Sequence, residues 1–364
     1  MKLHLHIEDK ANWLSKKVPC IIAGPCSVES EEQVFQTVQE IAKSGKVSII
    51  RGGIWKPRTR PNAFEGVGEK GLKWLKQAGL TVGLPIATEV ANAEHVEACL
   101  KNNIDILWIG ARTTVNPFSV QEIADALKGV DIPVFIKNPI TPDINLWVGA
   151  LERINAVGIT KLAAIHRGFS SFEKSIYRNA PMWEIPIELK LMCPEIPIFC
   201  DPSHISGDKD LIPLVAQKAL DLEMDGLMIE SHINPLVAKS DAEQQLNPSE
   251  LINLLNQLII REKNSQSEDF INQLEQLRAV IDELDGELIN KFASRMNIIE
   301  KIGTYKSQNN VTILQVERWE KILKNRSFLA KKVGLSDEFI KKMLELIHQE
   351  SIRVQTNIMN KPKN

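Results

Sequence analysis

The sequence predicts an α/β architecture: a (β/α)8 TIM barrel followed by an all-α domain of three helices that pairs with a second copy. Three observations carry this. Between residues 20 and 261, eight short runs rich in Ile, Val and Leu alternate with amphipathic stretches of helix length. Those runs are apolar nearly throughout, as parallel strands covered by helices must be. Beyond residue 261 the strand signals stop, and apolar residues recur only at three- and four-residue steps. Eight strand-then-helix units over roughly 240 residues match the usual size of a closed barrel, whereas an open doubly wound sheet more often has five or six strands.

In chain order, residues 1–19 form a short extension. Strands follow at 20–24, 47–52, 81–88, 106–111, 133–137, 161–166, 197–200 and 226–230. Helical periodicity falls at 31–44, 68–78, 93–102, 120–127, 146–157, 210–222 and 249–261. The barrel therefore spans 20–261, and the polar run E-K-N-S-Q-S-E-D at 262–269 links it to a helical domain at 270–364. That domain has helices at 269–306, 313–332 and 337–360, with no proline before Pro362. Its first helix spans about 57 Å at 1.5 Å per residue, too long for three helices to cover alone, so a homodimer or higher homo-oligomer is expected.

Composition excludes several classes. The net charge of −2 gives no basis for coating nucleic acid. No apolar run reaches membrane-spanning length and no signal-peptide pattern opens the chain, so a cytoplasmic protein is expected. Five cysteines without paired spacing fit a reducing compartment.

A barrel of this kind places its chemistry at the carboxyl ends of its strands. Here those ends are polar in every unit: Cys26, Arg51 with Lys56 and Arg58, Glu89, Arg112, Lys137, His166-Arg167, Asp201-Pro202-Ser203-His204, and Glu230-Ser231-His232 with Asp241 beyond. Six cations (Arg51, Lys56, Arg58, Arg112, Lys137, Arg167) on one rim call for a ligand with more than one phosphate or carboxylate. Cys26, His204, Glu230 and Asp241 supply one sulfur, one nitrogen and two carboxylates, a donor set for a divalent ion of the Mn, Fe, Zn or Co class. Singly, Cys26 reads as buried filler, His204 as a turn histidine and Asp241 as a helix cap; their shared rim is what points to a metal.

The segments G-P-C-S-V-E, R-G-G-I-W-K-P-R-T, I-G-A-R-T-T, F-I-K-N, H-R-G, D-P-S-H and S-D-A-E-Q-Q-L, in this order, resemble the signature set of the 3-deoxy-heptulosonate 7-phosphate (DAHP) synthase family. The resemblance implies metal-dependent condensation of phosphoenolpyruvate with erythrose 4-phosphate. It assigns Cys26, His204, Glu230 and Asp241 to the metal, Arg51, Lys56, Arg112, Lys137 and Arg167 to phosphoenolpyruvate, and Arg58 with Thr59 to the sugar phosphate. Lys56 and Glu89 are both candidates for moving protons. The 3-deoxy-octulosonate 8-phosphate synthases resemble the chain in G-P-C and K-N-P, but K-P-R-T at 56–59 favours the four-carbon acceptor. The family often carries a regulatory domain before the barrel; 19 residues are too few for one, so any feedback device is expected after it.

On the helical segment, Arg295 and Lys306 return to nearly one helix face, while Arg278 lies about 25 Å from Arg295 along the same helix. Gln315, Arg318 and Trp319 share a face, as do Ser351 and Gln355. L-R-A-V-I-D-E-L-D, K-I-G-T-Y-K, Q-V-E-R-W and E-S-I-R-V-Q resemble the all-helical chorismate mutase family, an intertwined dimer that converts chorismate to prephenate. The resemblance implies substrate contacts from Arg295, Lys306, Arg318, Ser351 and Gln355, with Arg278 from the neighbouring subunit. Arg295 and Lys306 would be the catalytic pair. The chain departs from the pattern at Trp319, where many members have a carboxylate that meets the substrate hydroxyl, and at Gln315, often an Asp; an indole accepts no hydrogen bond. Two functions are therefore weighed for this domain: a mutase that makes the chain bifunctional, or a sensor of chorismate or prephenate that throttles the barrel.

Overall fold

In a computed structural model, residues 3–15, 17–56, 64–172, 174–262 and 264–360 are described. The chain divides into two compact units, Met1–Lys263 and Asn264–Asn364. In the first, eight parallel strands close into a barrel in sequence order. They are β1 (Cys20–Gly24), β2 (Val47–Arg51), β3 (Ile86–Val90), β4 (Ile106–Ile109), β5 (Val134–Lys137), β6 (Leu162–His166), β7 (Ile198–Cys200) and β8 (Gly226–Glu230). The crossovers hold α1 (Glu31–Ala42), α2 (Lys70–Val82), α3 (Ala93–Lys101), α4 (Ala111–Thr114), α5 (Pro117–Ala126), α6 (Ile144–Ala156), α7 (Glu184–Met192), α8 (Pro202–Ser206), α9 (Ile212–Asp221) and α10 (Pro248–Gln257).

Alternation along the strands builds two cores. Ile21, Ala23 and Ile50 point outward to the helices, while Ile22, Ile49, Trp108, Phe135, Phe199 and Met228 fill the barrel interior. Phe135 and Phe199 stack at 5.2 Å. Trp13, from the N-terminal extension, meets Phe135 edge-on at 6.0 Å and packs against this inner core. Replacing Phe199 by alanine should destabilise the barrel by about 3 to 5 kcal/mol, read from its urea unfolding midpoint; a loss under about 1 kcal/mol would show that the interior is not close-packed.

Four elements differ from the sequence expectation. The strand expected at 81–88 begins only at Ile86, because α2 runs on through Val82 and ends on Gly83 in the left-handed conformation that a Cβ disfavours. The Thr81-Val82 pair that opened the expected strand is the end of that helix. The fourth strand stops at Ile109, and Ala111 opens the short α4. Between β6 and β7 the sequence showed no helix, yet α7 forms; a proline and scattered apolar residues hide its period. The last barrel helix ends at Gln257 rather than 261, where the Ile259 N–H donates to Gln217 Oε1 instead of continuing the helix.

The second unit contains α11 (Glu268–Gln308), α12 (Val316–Lys332) and α13 (Asp337–Met359). Each begins after a serine or glutamine, and Ser267 and Ser336 accept hydrogen bonds from the N–H groups of Phe270 and Phe339. Gly303 lets α11 approach α13 closely: a Cβ there would lie 3.1 Å from Ile358 and 3.2 Å from Gln355. Much of the apolar stripe of α11 is uncovered within this unit, with Leu277 64% exposed and Ile281, Leu284 and Leu288 each above half.

Candidate functional site

Strand ends bring the barrel's polar residues together in the order the alternation dictates. Glu230 pairs in register with Gly24 across β8 and β1, and Arg51 closes β2. Gly24 is required there, since a Cβ would lie 2.1 Å from the Arg51 carbonyl. Arg51 is 1% exposed; its Nη2 lies 3.1 Å from Glu230 Oε1 and its guanidinium 5.0 Å from the centre of the Trp108 ring. Glu89 Oε2 accepts from the Trp108 indole N–H at 2.9 Å.

The acid-rich side of the mouth has a defined donor set. Cys26 Sγ lies 3.3 Å from Asp241 Oδ2 and 3.2 Å from Lys56 Nζ. One donor atom each from Cys26, Glu230 and Asp241 lie within 4.8 Å of one another. His204 is not in that group of three. Its Nδ1 faces Asp201 Oδ2 at 2.8 Å, and its Nε2 is 3.9 Å from Glu230 Oε1. This is the orientation a carboxylate imposes on a ligating histidine, with Nε2 left as the free donor atom. Asp201 also receives Lys137 Nζ at 2.7 Å and caps α8 through the His204 N–H.

Electrostatics follow from burial among these charges. Burial raises the Cys26 thiol to about 12, with Glu230 adding to it, so the sulfur keeps its proton unless a cation replaces it. For Glu230, burial pushes upward, but His204 and Arg51 outweigh it and the net direction is down. Asp241 likewise moves down, through His204 and Arg178 against the effect of burial. Burial pulls Lys56 down, yet Cys26, Glu230 and Glu89 outweigh that and leave it more firmly protonated.

Beside this set lies a cavity of about 270 Å³ lined by Lys56, Arg112, Lys137, Arg167, Arg178 and His204, among others. Burial lowers Arg167 to about 10, and the neighbouring Arg178 and Arg112 push the same way, so an anion in this cavity is favoured. Arg58 and Thr59 lie outside the described residues. Sequence reasoning gave no role to Arg178, Asp201, Gln244 or Gln245. Asp201 sits in D-P-S-H and the glutamines in S-D-A-E-Q-Q-L, where they could have been found; Arg178 sits in the loop between β6 and α7 without any periodic signal.

On the helical unit, Arg295 Nη1 donates to Ser351 Oγ at 2.7 Å. Gln355 is buried one turn further on; its Nε2 donates to the Ser351 carbonyl at 3.1 Å, and its buried Oε1 has no donor among the described residues. Lys306 Nζ donates to the Ile313 carbonyl at 2.6 Å. Trp319 stacks on His348 with ring centres 4.0 Å apart and planes 12° from parallel. Arg278, Gln315 and Arg318 are exposed.

Comparison with known proteins sorts the two units. Residues 15–267 match the model of the DAHP synthetase I family, and residues 277–356 that of chorismate mutase type II. The chain is 34% identical over 227 residues to a phospho-2-dehydro-3-deoxyheptonate aldolase of Thermotoga maritima, covering 62% of this chain and 65% of that relative. It is 27% identical over 240 residues to a 2-dehydro-3-deoxyphosphooctonate aldolase of Acidithiobacillus ferrooxidans, covering 61% of this chain and 81% of the relative. A crystal structure of the Thermotoga maritima aldolase, a DAHP synthase, superposes with a TM-score of 0.61 at 30% identity, covering 67% of this chain and 69% of that one. A truncated form of 3-deoxy-D-arabino-heptulosonate 7-phosphate synthase from Thermotoga maritima gives 0.58 at 29% identity, covering 67% and 86%.

Proposed function

The chain belongs to the DAHP synthetase I family and carries a chorismate mutase type II domain, and from that premise we propose a bifunctional enzyme of two separate sites. The barrel condenses phosphoenolpyruvate with erythrose 4-phosphate; the helical unit rearranges chorismate to prephenate. The observation that carries the first activity is the buried sulfur and two carboxylates of Cys26, Glu230 and Asp241 beside a cation-lined cavity. This donor set fits a divalent ion. One soft and two hard donors lie close together, and His204 offers Nε2 alongside, 3.9 Å from Glu230 Oε1. When bound, the ion supplies Lewis acidity toward the aldehyde.

The side chains do the rest. Arg51, Arg112, Lys137 and Arg167 hold the carboxylate and phosphate of the enol phosphate and orient its methylene carbon toward the aldehyde. Lys56, kept protonated by its acidic neighbours, donates to the oxygen that gains charge as the carbon–carbon bond forms. Arg58 and Thr59 receive the sugar phosphate. In the helical unit, Arg295, Arg318 and the partner's Arg278 bind the two carboxylates of chorismate, with Ser351 and Gln355 beside them. Lys306 stabilises charge on the ether oxygen. Folding a flexible dianion into its reactive shape needs no covalent step.

A second copy covers the exposed stripe of Leu277, Ile281, Leu284 and Leu288, so sedimentation should give twice the chain mass or more; a monomer at micromolar concentration would refute this. The five unpaired cysteines fit a reducing cytoplasm. One coupled experiment tests the function. Purified enzyme assayed for both reactions with and without a chelator should lose the condensation alone. Turnover with arabinose 5-phosphate in place of erythrose 4-phosphate would reassign the barrel to the octulosonate reaction.

A further inference from the structure

Two consecutive glutamines, Gln244 and Gln245, are fully buried in the loop that carries Asp241, and the reaction as derived above uses neither. Gln244 Nε2 donates to Glu230 Oε2 at 2.6 Å, and its Oε1 accepts from Arg178 Nη1 at 2.7 Å. The same Arg178 nitrogen donates to Asp241 Oδ1 at 2.9 Å. Gln245 reaches the third residue of the set: its Oε1 accepts from the Cys26 N–H at 2.9 Å, while its Nε2 donates to the Ser240 carbonyl at 2.9 Å. The Ser240 and Ser27 hydroxyls meet at 2.6 Å, tying the Asp241 loop to the Cys26 loop a second time.

The pattern is selective at the level of single atoms. Each carboxylate has one oxygen fastened to the scaffold, Glu230 by Oε2 and Asp241 by Oδ1. The other oxygen is turned toward the site: Asp241 Oδ2 faces the Cys26 sulfur at 3.3 Å, and Glu230 Oε1, ion-paired with Arg51 Nη2 at 3.1 Å, lies 3.9 Å from His204 Nε2. Asp241 itself has φ +47°, the left-handed region that a residue with a Cβ rarely adopts unless its surroundings hold it there. Position 244 must donate to one partner and accept from the other. An amide does both; a carboxylate lacks the donor and a thioether lacks the donor and is a weak acceptor.

We propose that Gln244 and Gln245, with Arg178, are positioning residues that pre-set Cys26, Glu230 and Asp241 to receive a divalent cation. This rests on the metal-dependent reading of the barrel given above. Groups behind metal ligands typically change metal affinity by about 10- to 100-fold when removed. The test is a Co²⁺ titration of the full-length, metal-free protein, followed by equilibrium dialysis and by the sulfur-to-cobalt charge-transfer absorption. The wild type should take up Co²⁺ with that thiolate band. Gln244→Met, which keeps length and volume, should raise the Kd by about 10- to 100-fold with the far-ultraviolet circular dichroism unchanged. Arg178→Met, on a side chain 49% exposed and so safe for folding, should raise it by about 10-fold. In Gln244→Met excess Co²⁺ should recover most of the condensation activity. A Kd within about twofold of wild type in both variants overturns the positioning role alone; if Gln244→Met does not fold, Arg178→Met decides by the same criterion. A wild-type protein that takes up no Co²⁺ overturns the metal reading of the barrel as well.

Discussion

Cys26→Ala is expected to abolish the condensation, lowering kcat/KM by about 10³-fold or more while leaving prephenate formation unchanged. The reason is the donor set. Removing the sulfur leaves two carboxylates and an imidazole, and takes away the one soft donor among the described residues that meets both carboxylates. A loss of that size corresponds to about 4 kcal/mol of transition-state stabilisation, the scale on which a Lewis-acid metal acts. The purified variant should also retain no stoichiometric metal after desalting. Cys26→Ser separates donor softness from packing: it keeps nearly the same volume, yet a hydroxyl is a poor ligand beside a thiolate. Condensation by Cys26→Ala at more than a tenth of the wild-type rate would show that the sulfur is filler, and the site would have to be redrawn.

Arg295→Ala should remove mutase turnover by about 10³-fold, again near 4 kcal/mol, without altering the condensation. Burial, and then the neighbouring Arg326, make the charged Arg295 less comfortable than an exposed arginine, so its environment favours an anion. Its contact with Ser351 fixes one end of the guanidinium and leaves the rest available for a two-point grip on carboxylate. Arg295→Lys should recover only part of the rate, because a single ammonium cannot reproduce that fork. If prephenate still forms at wild-type rate in Arg295→Ala, the helical unit's chemistry lies elsewhere or the unit only binds. Trp319, at the position where the resemblance led one to expect a carboxylate, stacks on His348.

Much of the architecture was legible in the chain because barrel strands are short, apolar and bounded by polar tips, and that pattern survives without any knowledge of neighbours. The start of β3 was misread because the β-branched pair Thr81 and Val82 suits either a strand or a last helical turn, and only the left-handed Gly83 decides between them. The absence of a visible signal for α7 has a similar cause: a proline at its third position and weak periodicity leave nothing local to read.

What the sequence determined by itself was the barrel, the helical domain after it, and the identity of the polar groups at each strand end, since alternation and helical period are local properties. Tertiary structure alone decided which of those groups touch. The contacts of Cys26 with Asp241, of Gln244 with Glu230 and Arg178, and of Arg295 with Ser351 join residues far apart in the chain. Hydrogen bonds act over about 3 Å, so their partners are fixed only once the closing of the barrel and the packing of α11 on α13 have set where each backbone lies.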